Sequence, residues 1–207
     1  MRRTPPARRA VLHQVAGRLL SYPDPALYDQ LPLLREALDE SGRGPAGPLL
    51  DLVGHMTRTP QTALAAHYVQ VFDFKNRRSL YLTWWTDGDT RRRGMSLVHL
   101  KETYRAHGLE YTDGEELPDF LPAVLEFSAL TATDALLRAH RPALELLRLS
   151  LTDCATPYAR VLESVCATLP GASPKDRASA RAMARTGPPR EDVGLEPFGP
   201  QGTGAHR

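Results

Sequence analysis

The spacing of the leucines constrains this chain more than any other feature. Leu27, Leu31, Leu34 and Leu38 step by four, three and four, the interval that aligns side chains on one face of a helix. Leu121, Val124, Leu125 and Ser128 repeat it, extended by Ala132, Ala135 and Leu136, and Tyr158, Val161, Leu162, Val165 and Leu169 repeat it again. Start signals agree. Asp24-Pro25, Thr59-Pro60 and Thr156-Pro157 each set a capping side chain before a proline at the first helical position, where a missing N–H costs nothing. Gly108 and Gly171 read as helix stops. These signals predict helices near 8–20, 25–40, 47–56, 61–73, 91–106, 118–138, 142–154 and 157–169. The segment "SLYLTWW" is ambiguous: its aromatic and β-branched content suits a strand, but a lone strand would have no partner elsewhere. The expectation is an all-α, single-domain bundle of about seven to eight helices.

Composition sets the limits of that domain. In 207 residues the pattern divides into a basic N-terminus (1–9), a helical domain (10–170) and a tail (171–207). The last 37 residues hold six glycines and five prolines and few large apolar side chains, so the tail is expected to be disordered. The overall charge of +2 hides a division. Residues 10–170 carry 16 basic and 20 acidic groups, a net of −4, while the two ends are basic. A nucleic-acid binder concentrates positive charge on its folded part, so nucleic acid is not an expected partner. No run approaches the roughly 18 apolar residues of a membrane span. "MRRTPPARRA" has a twin-arginine look, but His13 and Arg18 interrupt the following segment, which does not fit a secretory signal. A cytoplasmic protein is expected. Cys154 and Cys166 are too few for a structural zinc site and are expected to be reduced core residues.

The motifs that could carry chemistry cluster in "SLYLTWWTDGDTRRRGM", residues 79–95. Asp87-Gly88-Asp89 invites a calcium-loop reading. That pattern needs an oxygen ligand at its fifth position, glycine at the sixth and glutamate at the twelfth. Here Arg91, Arg92 and Val98 stand there, so no metal is expected. The simpler reading is a tight turn with Asp89 or Thr90 capping the next helix. Arg91, Arg92 and Arg93 point about 100° apart on a helix and make a poor phosphate cradle. Asp87, Asp89 or Asp73 could offset them in a local ion-pair network. The seven histidines are scattered, read mostly as surface or partly buried, and no G-x-S-x-G elbow is present. "HYVQVFDF", 67–74, places Tyr68, Val71 and Phe72 on one face. "GEELPDFLPAVLEF", 114–127, gathers Glu115, Glu116 and Asp119 at a helix start. There they either cap the helix or receive a basic segment. No catalytic constellation emerges.

Three stretches together resemble a known family. "YVQVFDF", "SLYLTWWTDGDTRRRGMSLVHLKETYRAHGLE" and "ELPDFLPAVLEF" are similar to the nitrate reductase delta subunit (NarJ-type) chaperones, within the wider TorD/DmsD/NarJ family of redox-enzyme maturation chaperones. The likeness runs from about Ala10 to Leu169 and is most specific between Tyr68 and Phe127. It implies a non-enzymatic, all-helical chaperone without a cofactor of its own. Such a protein would bind the N-terminal helix of the apo catalytic (alpha) subunit of respiratory nitrate reductase. It would hold that subunit for insertion of the molybdenum cofactor, in contact with molybdenum-cofactor biosynthesis proteins. Glu116, Pro118 and Asp119 match the family's acidic Glu/Pro/Asp motif, and Phe120 stands where a histidine often closes it. On this reading the client peptide would meet Tyr68, Phe72, Trp84, Trp85, Asp87, Asp89, Glu116, Asp119 and Phe120. Trp84 and Trp85 would form an apolar platform, and Asp73, Arg91 and Arg92 would hold it through ion pairs. A chaperone for another molybdoenzyme, or a helical adaptor for an unrelated partner, is the alternative.

Overall fold

The structure is a computed structural model and describes residues 4–73, 78–111 and 116–185. Among these, eleven helices follow one another: α1 (Pro6–Leu19), α2 (Pro25–Glu40), α3 (Ala46–Arg58), α4 (Gln61–Phe72), α5 (Leu82–Asp87), α6 (Arg91–Ala106), α7 (Leu121–Thr131), α8 (Ala135–Ala139), α9 (Arg141–Asp153), α10 (Ala159–Thr168) and α11 (Arg177–Arg185). The all-α class matches the expectation; the helix number exceeds it.

The leucine pattern works as read. Leu27, Leu31, Leu34 and Leu38 are the buried residues of α2, while Leu33 faces solvent. Asp24 caps this helix, accepting from the Leu27 N–H at 2.7 Å. The other two expected caps serve elsewhere. Thr59 donates to the His55 carbonyl at 2.8 Å, and Thr156 pairs mainly with His67 Nε2 at 2.8 Å, its hydroxyl accepting only a long bond of 3.5 Å from the Tyr158 N–H at the helix start. Gly108 and Gly171 do stop the chain, at φ of 74° and 88°.

Helix α1 sits at the centre, against α7, α10, α2 and α3. It runs antiparallel to α7. Arg9 donates to the Ala132 carbonyl at 3.0 Å, His13 Nδ1 lies 2.9 Å from Ser128 Oγ, and Gly17 abuts Pro122. A Cβ on Gly17 would come within 3.1 Å of the Pro122 carbonyl oxygen, so the missing side chain lets the two backbones approach. His13 is fully buried, beyond the surface or partly buried placement expected of most of the histidines. Its second nitrogen is 2.9 Å from Thr168 Oγ1 on α10. Burial, and then the Arg9 charge, lower its pKa to about 4, with Asp134 opposing.

Three differences from the sequence reading have local causes. The expected helix 118–138 begins later, at Leu121. It also breaks at Ala132, which takes the left-handed conformation (φ 53°). The break is stabilised from outside: Arg9 binds the exposed carbonyl and pairs with Asp134 at 3.3 Å. "SLYLTWW" is part extended and part helical, with Tyr81 bridging Phe120 in antiparallel sense before α5 starts. The expected tail does not begin at 171. Arg141 and Arg148 donate to the Pro170 and Pro174 carbonyls at 3.3 and 2.7 Å, and α11 packs on α9 with Ala180 buried. Glu145, fully buried, anchors this latch through Arg141, Arg148 and Ser173. Burial alone would raise the Glu145 carboxyl's pKa. Hydrogen bonds from Ser173 and Arg148 and the Arg141 charge outweigh it and hold it below the usual range. Residues 1–3 and 186–207 lie outside the described residues. Cys166 is a core thiol as expected, but Cys154, at the end of α9, is exposed.

Candidate functional site

The segment 79–95 is an internal fastening. The Leu82 N–H donates to the Asp119 carbonyl at 3.0 Å and the Leu121 N–H to the Leu80 carbonyl at 2.8 Å, joining it to "LPDFL". Asp119 is buried, with no exposed surface. Its Oδ2 accepts from the Thr83 N–H at 3.1 Å and the Thr83 hydroxyl at 2.5 Å. A buried carboxylate needs a compensating cation, and Arg93 supplies it at 3.8 Å while also donating to Thr83 Oγ1 at 3.2 Å. The same guanidinium lies over the rings of Tyr81 and Trp84, 5.8 and 5.9 Å from their centroids. The three arginines therefore separate as the helical period requires: Arg91 is exposed, Arg92 pairs weakly with Asp87 at 3.8 Å, and Arg93 turns inward.

This geometry corrects several expected contacts. Asp119 neither caps α7 nor faces solvent; it staples α5 to the chain before α7. Tyr68 and Phe72 belong to a buried aromatic cluster with Tyr158, and the Tyr68 hydroxyl donates to the Leu20 carbonyl at 3.0 Å. Trp84 and Trp85 are both half-buried. Trp85 packs against the core and donates its indole N–H to the Ser79 carbonyl at 3.0 Å, so the pair does not form an open platform. Asp87 accepts from the Ser96 hydroxyl at 2.7 Å, a turn-closing role. Asp89 is exposed, and Thr90 donates to the Asp87 carbonyl at 2.9 Å rather than capping α6. Among the described residues no ion pair joins Asp73 to Arg91 or Arg92. Glu115 lies outside the described residues.

Glu116 and Phe120 do come together, on the wall of a groove of about 920 Å³ between α1, α7 and the chain after α6. Its apolar surface comes from Phe120, Tyr111, Leu109 and Leu130, with Tyr104 and Phe127 buried behind them. Leu130 is 65% exposed, and a leucine so placed on an otherwise packed helix is an open apolar surface. Among the described residues its rim carries Glu110, Glu116 and Glu126 against one cation, Arg18. Arg18 is already occupied by Gln30 at 2.7 Å and Asp24 at 3.2 Å, so the groove keeps a net negative charge. Burial raises the Tyr104 pKa, and burial followed by the bond to Glu116 raises that of neighbouring Tyr81. Tyr111 donates to the Leu117 carbonyl at 3.0 Å, which fixes one edge. A surface of this shape and charge suits an amphipathic basic helix, the apolar face below and cations at the rim.

Sequence reasoning missed most of this lining. Gln14 and Arg18 come from α1, Tyr104 from the end of α6, Leu109, Glu110 and Tyr111 from the chain after it, and Glu126 and Leu130 from α7. The one available signal was Glu126 and Leu130, four apart on a helix otherwise spaced for burial.

Among the described residues no cluster of histidine, cysteine and carboxylate side chains could hold a metal, and no helix is long and apolar enough to cross a membrane. The fold and groove define the class: an all-helical protein with a lateral acidic and aromatic groove. The chain belongs to the nitrate reductase delta subunit family, whose model matches residues 31–163. It is 40% identical over 162 residues to the nitrate reductase-like protein NarX of Mycobacterium tuberculosis, covering 76% of this chain and 24% of NarX. It therefore spans about a quarter of that relative's length. It is 34% identical over 151 residues to the nitrate reductase molybdenum cofactor assembly chaperone NarJ of Escherichia coli, covering 70% of this chain and 64% of NarJ. Its fold is similar to the crystal structure of a protein described as a redox enzyme maturation protein from Archaeoglobus fulgidus. That match has a TM-score of 0.59 and 20% identity, and covers 76% of this chain and 91% of the other.

Proposed function

We propose that this chain is an assembly chaperone, without catalysis of its own. It holds the N-terminal segment of the apo catalytic subunit of a nitrate reductase until the molybdenum cofactor is inserted. The observation that carries the reading is the groove: three carboxylates rim an aromatic and aliphatic floor on a chain of the delta subunit family. NarJ of Escherichia coli, named for molybdenum cofactor assembly, supports the same reading. The basic, amphipathic N-terminal helix of the client lays its apolar face on Phe120, Tyr111 and Leu130, and its cations meet Glu110, Glu116 and Glu126. The work belongs in the cytoplasm, where the cofactor-free client is made, and the cofactor-synthesis machinery is a further partner. Phe120, where relatives often carry histidine, makes the floor more apolar and removes a titrating group from it.

The test is co-expression with the catalytic subunit in cells unable to make molybdenum cofactor. The two chains are expected to co-purify, and deletion of the client's first 15 or so residues, about one amphipathic helix, is expected to abolish it. Equal recovery of the truncated client would overturn the reading.

A further inference from the structure

Glu116 is an exposed side chain in a short connection, and on its own it would sample several rotamers. Ordering such a side chain on binding costs affinity, about 0.5–1.5 kcal/mol for a flexible one. Here the ordering is already done. The Tyr81 hydroxyl donates to Glu116 Oε2. The Tyr81 ring is itself held from two sides, by Phe120 at a centroid distance of 5.4 Å and by the Arg93 guanidinium at 5.8 Å. Arg93 in turn is fixed by the buried Asp119 and by Thr83, and the Tyr81 backbone is paired with that of Phe120. A line of contacts thus runs from the buried staple to the groove rim. It contains one residue that reaches the rim without lining it, namely Tyr81.

We infer that Tyr81 is a positioning residue: it holds the Glu116 carboxylate at the groove rim, ready to receive a cation of the bound helix. The inference rests on the chaperone reading above and adds a residue to it. Tyr81 carries no charge and supplies no contact to the ligand. It acts by removing the entropy that Glu116 would otherwise lose. This makes a signature that separates positioning from charge. Losing the Tyr81 hydroxyl should lower affinity while leaving the salt dependence of binding unchanged, because the number of carboxylates is the same. Losing the Glu116 charge should lower affinity and flatten the salt dependence.

The experiment is calorimetry of the full chain with a synthetic peptide of the first 15 or so residues of the catalytic subunit, about one helix in length, at several salt concentrations. The variants are Tyr81→Phe, Glu116→Gln, the double variant and Glu126→Gln. Tyr81→Phe keeps the ring on Phe120 and Arg93, and its melting temperature is expected to match the parent's. Its affinity is expected to fall roughly threefold to tenfold, the range that one side-chain ordering term allows, with an unchanged salt slope. The double variant is expected to bind like Glu116→Gln alone. If Glu116→Gln and Glu126→Gln weaken binding but Tyr81→Phe does not, or if Tyr81→Phe weakens Glu116→Gln further, the positioning role is overturned and the groove reading stands. If the parent chain does not bind the peptide, or neither glutamine variant weakens it, the groove reading falls and this inference falls with it.

Discussion

Helices α2 and α6 are both 16 residues long and are built on opposite principles. Helix α2 buries four leucines at helical spacing and starts on a side-chain cap. Helix α6 buries only Leu100 and Tyr104, while Met95 and Val98 stand open to solvent. What fastens α6 is polar and specific: Arg93 to Asp119 and Thr83, Ser96 to Asp87, and the Tyr104 hydroxyl to the Pro118 carbonyl at 3.4 Å. The first helix is held by area and the second by a few directed contacts. That difference separates the part of the molecule that makes the fold from the part that makes the groove, since Tyr104 and the residues after α6 are its wall.

The comparison breaks most visibly at Leu27. Leu27→Ala removes a fully buried side chain and is expected to cost about 2–5 kcal/mol, the transfer and cavity terms together, read as a lower denaturant midpoint. A loss below 1 kcal/mol would mean that α2 is not the foundation described here.

Acid should strike the same side. His13, at the α1–α7–α10 junction, has a folded pKa lowered to about 4 from an ordinary 6.5. The unfolded chain therefore binds the proton first. Stability is complete above pH 6.5, falls as pH drops from there toward 4, and is flat below in this contribution. The total is about 3 kcal/mol at 1.36 kcal/mol per pKa unit. Denaturation at a series of pH values checks it, and His13→Gln should remove most of the slope. An unchanged slope in that variant would assign the acid sensitivity to other groups.

On the groove side, Asp119→Asn is expected to cost about 2 kcal/mol, since Arg93 and Thr83 lose a charged partner inside the protein. Amide exchange should speed up in α5 and α6 and not in α2. Uniform acceleration across the chain would mean that the staple is part of the global core. The smallest effect belongs to the open face of α6: Val98→Ala should change stability by less than about 0.5 kcal/mol, and a larger loss would show that this face is covered.

The two helices also show what the sequence could reveal. The α2 stripe is legible because burial by area leaves a periodic trace, and the same holds for α7 and α10. Fastening by directed contacts leaves none. Arg93 is indistinguishable from Arg91 and Arg92 until the helix phase is known, and Asp119 looks like a capping or docking carboxylate until the chain at Leu80–Thr83 is seen beside it. The break at Ala132 depends on Arg9, more than a hundred residues away. Helix α11 was hidden by its composition, because alanine and arginine offer little apolar area; the chain entering it is held by the buried Glu145 latch, and the helix itself by Ala180 and the Arg177–Asp153 pair. Of the groove, Glu116 and Phe120 were legible through the motif they share. Gln14 and Arg18 were not, since a groove between three elements has no period of its own.

The central claim is that a client helix occupies the groove between α1, α7 and the chain after α6. Amide hydrogen exchange of the chain with and without the client's N-terminal peptide tests it most directly. Slowed exchange is predicted in Gln14–Ser21, Tyr104–Tyr111 and Pro122–Leu130, the segments that line the groove, with no change at Trp84–Met95. Slowed exchange confined to Trp84–Met95 would place the client on the tryptophan pair and the arginine turn, and would contradict the account.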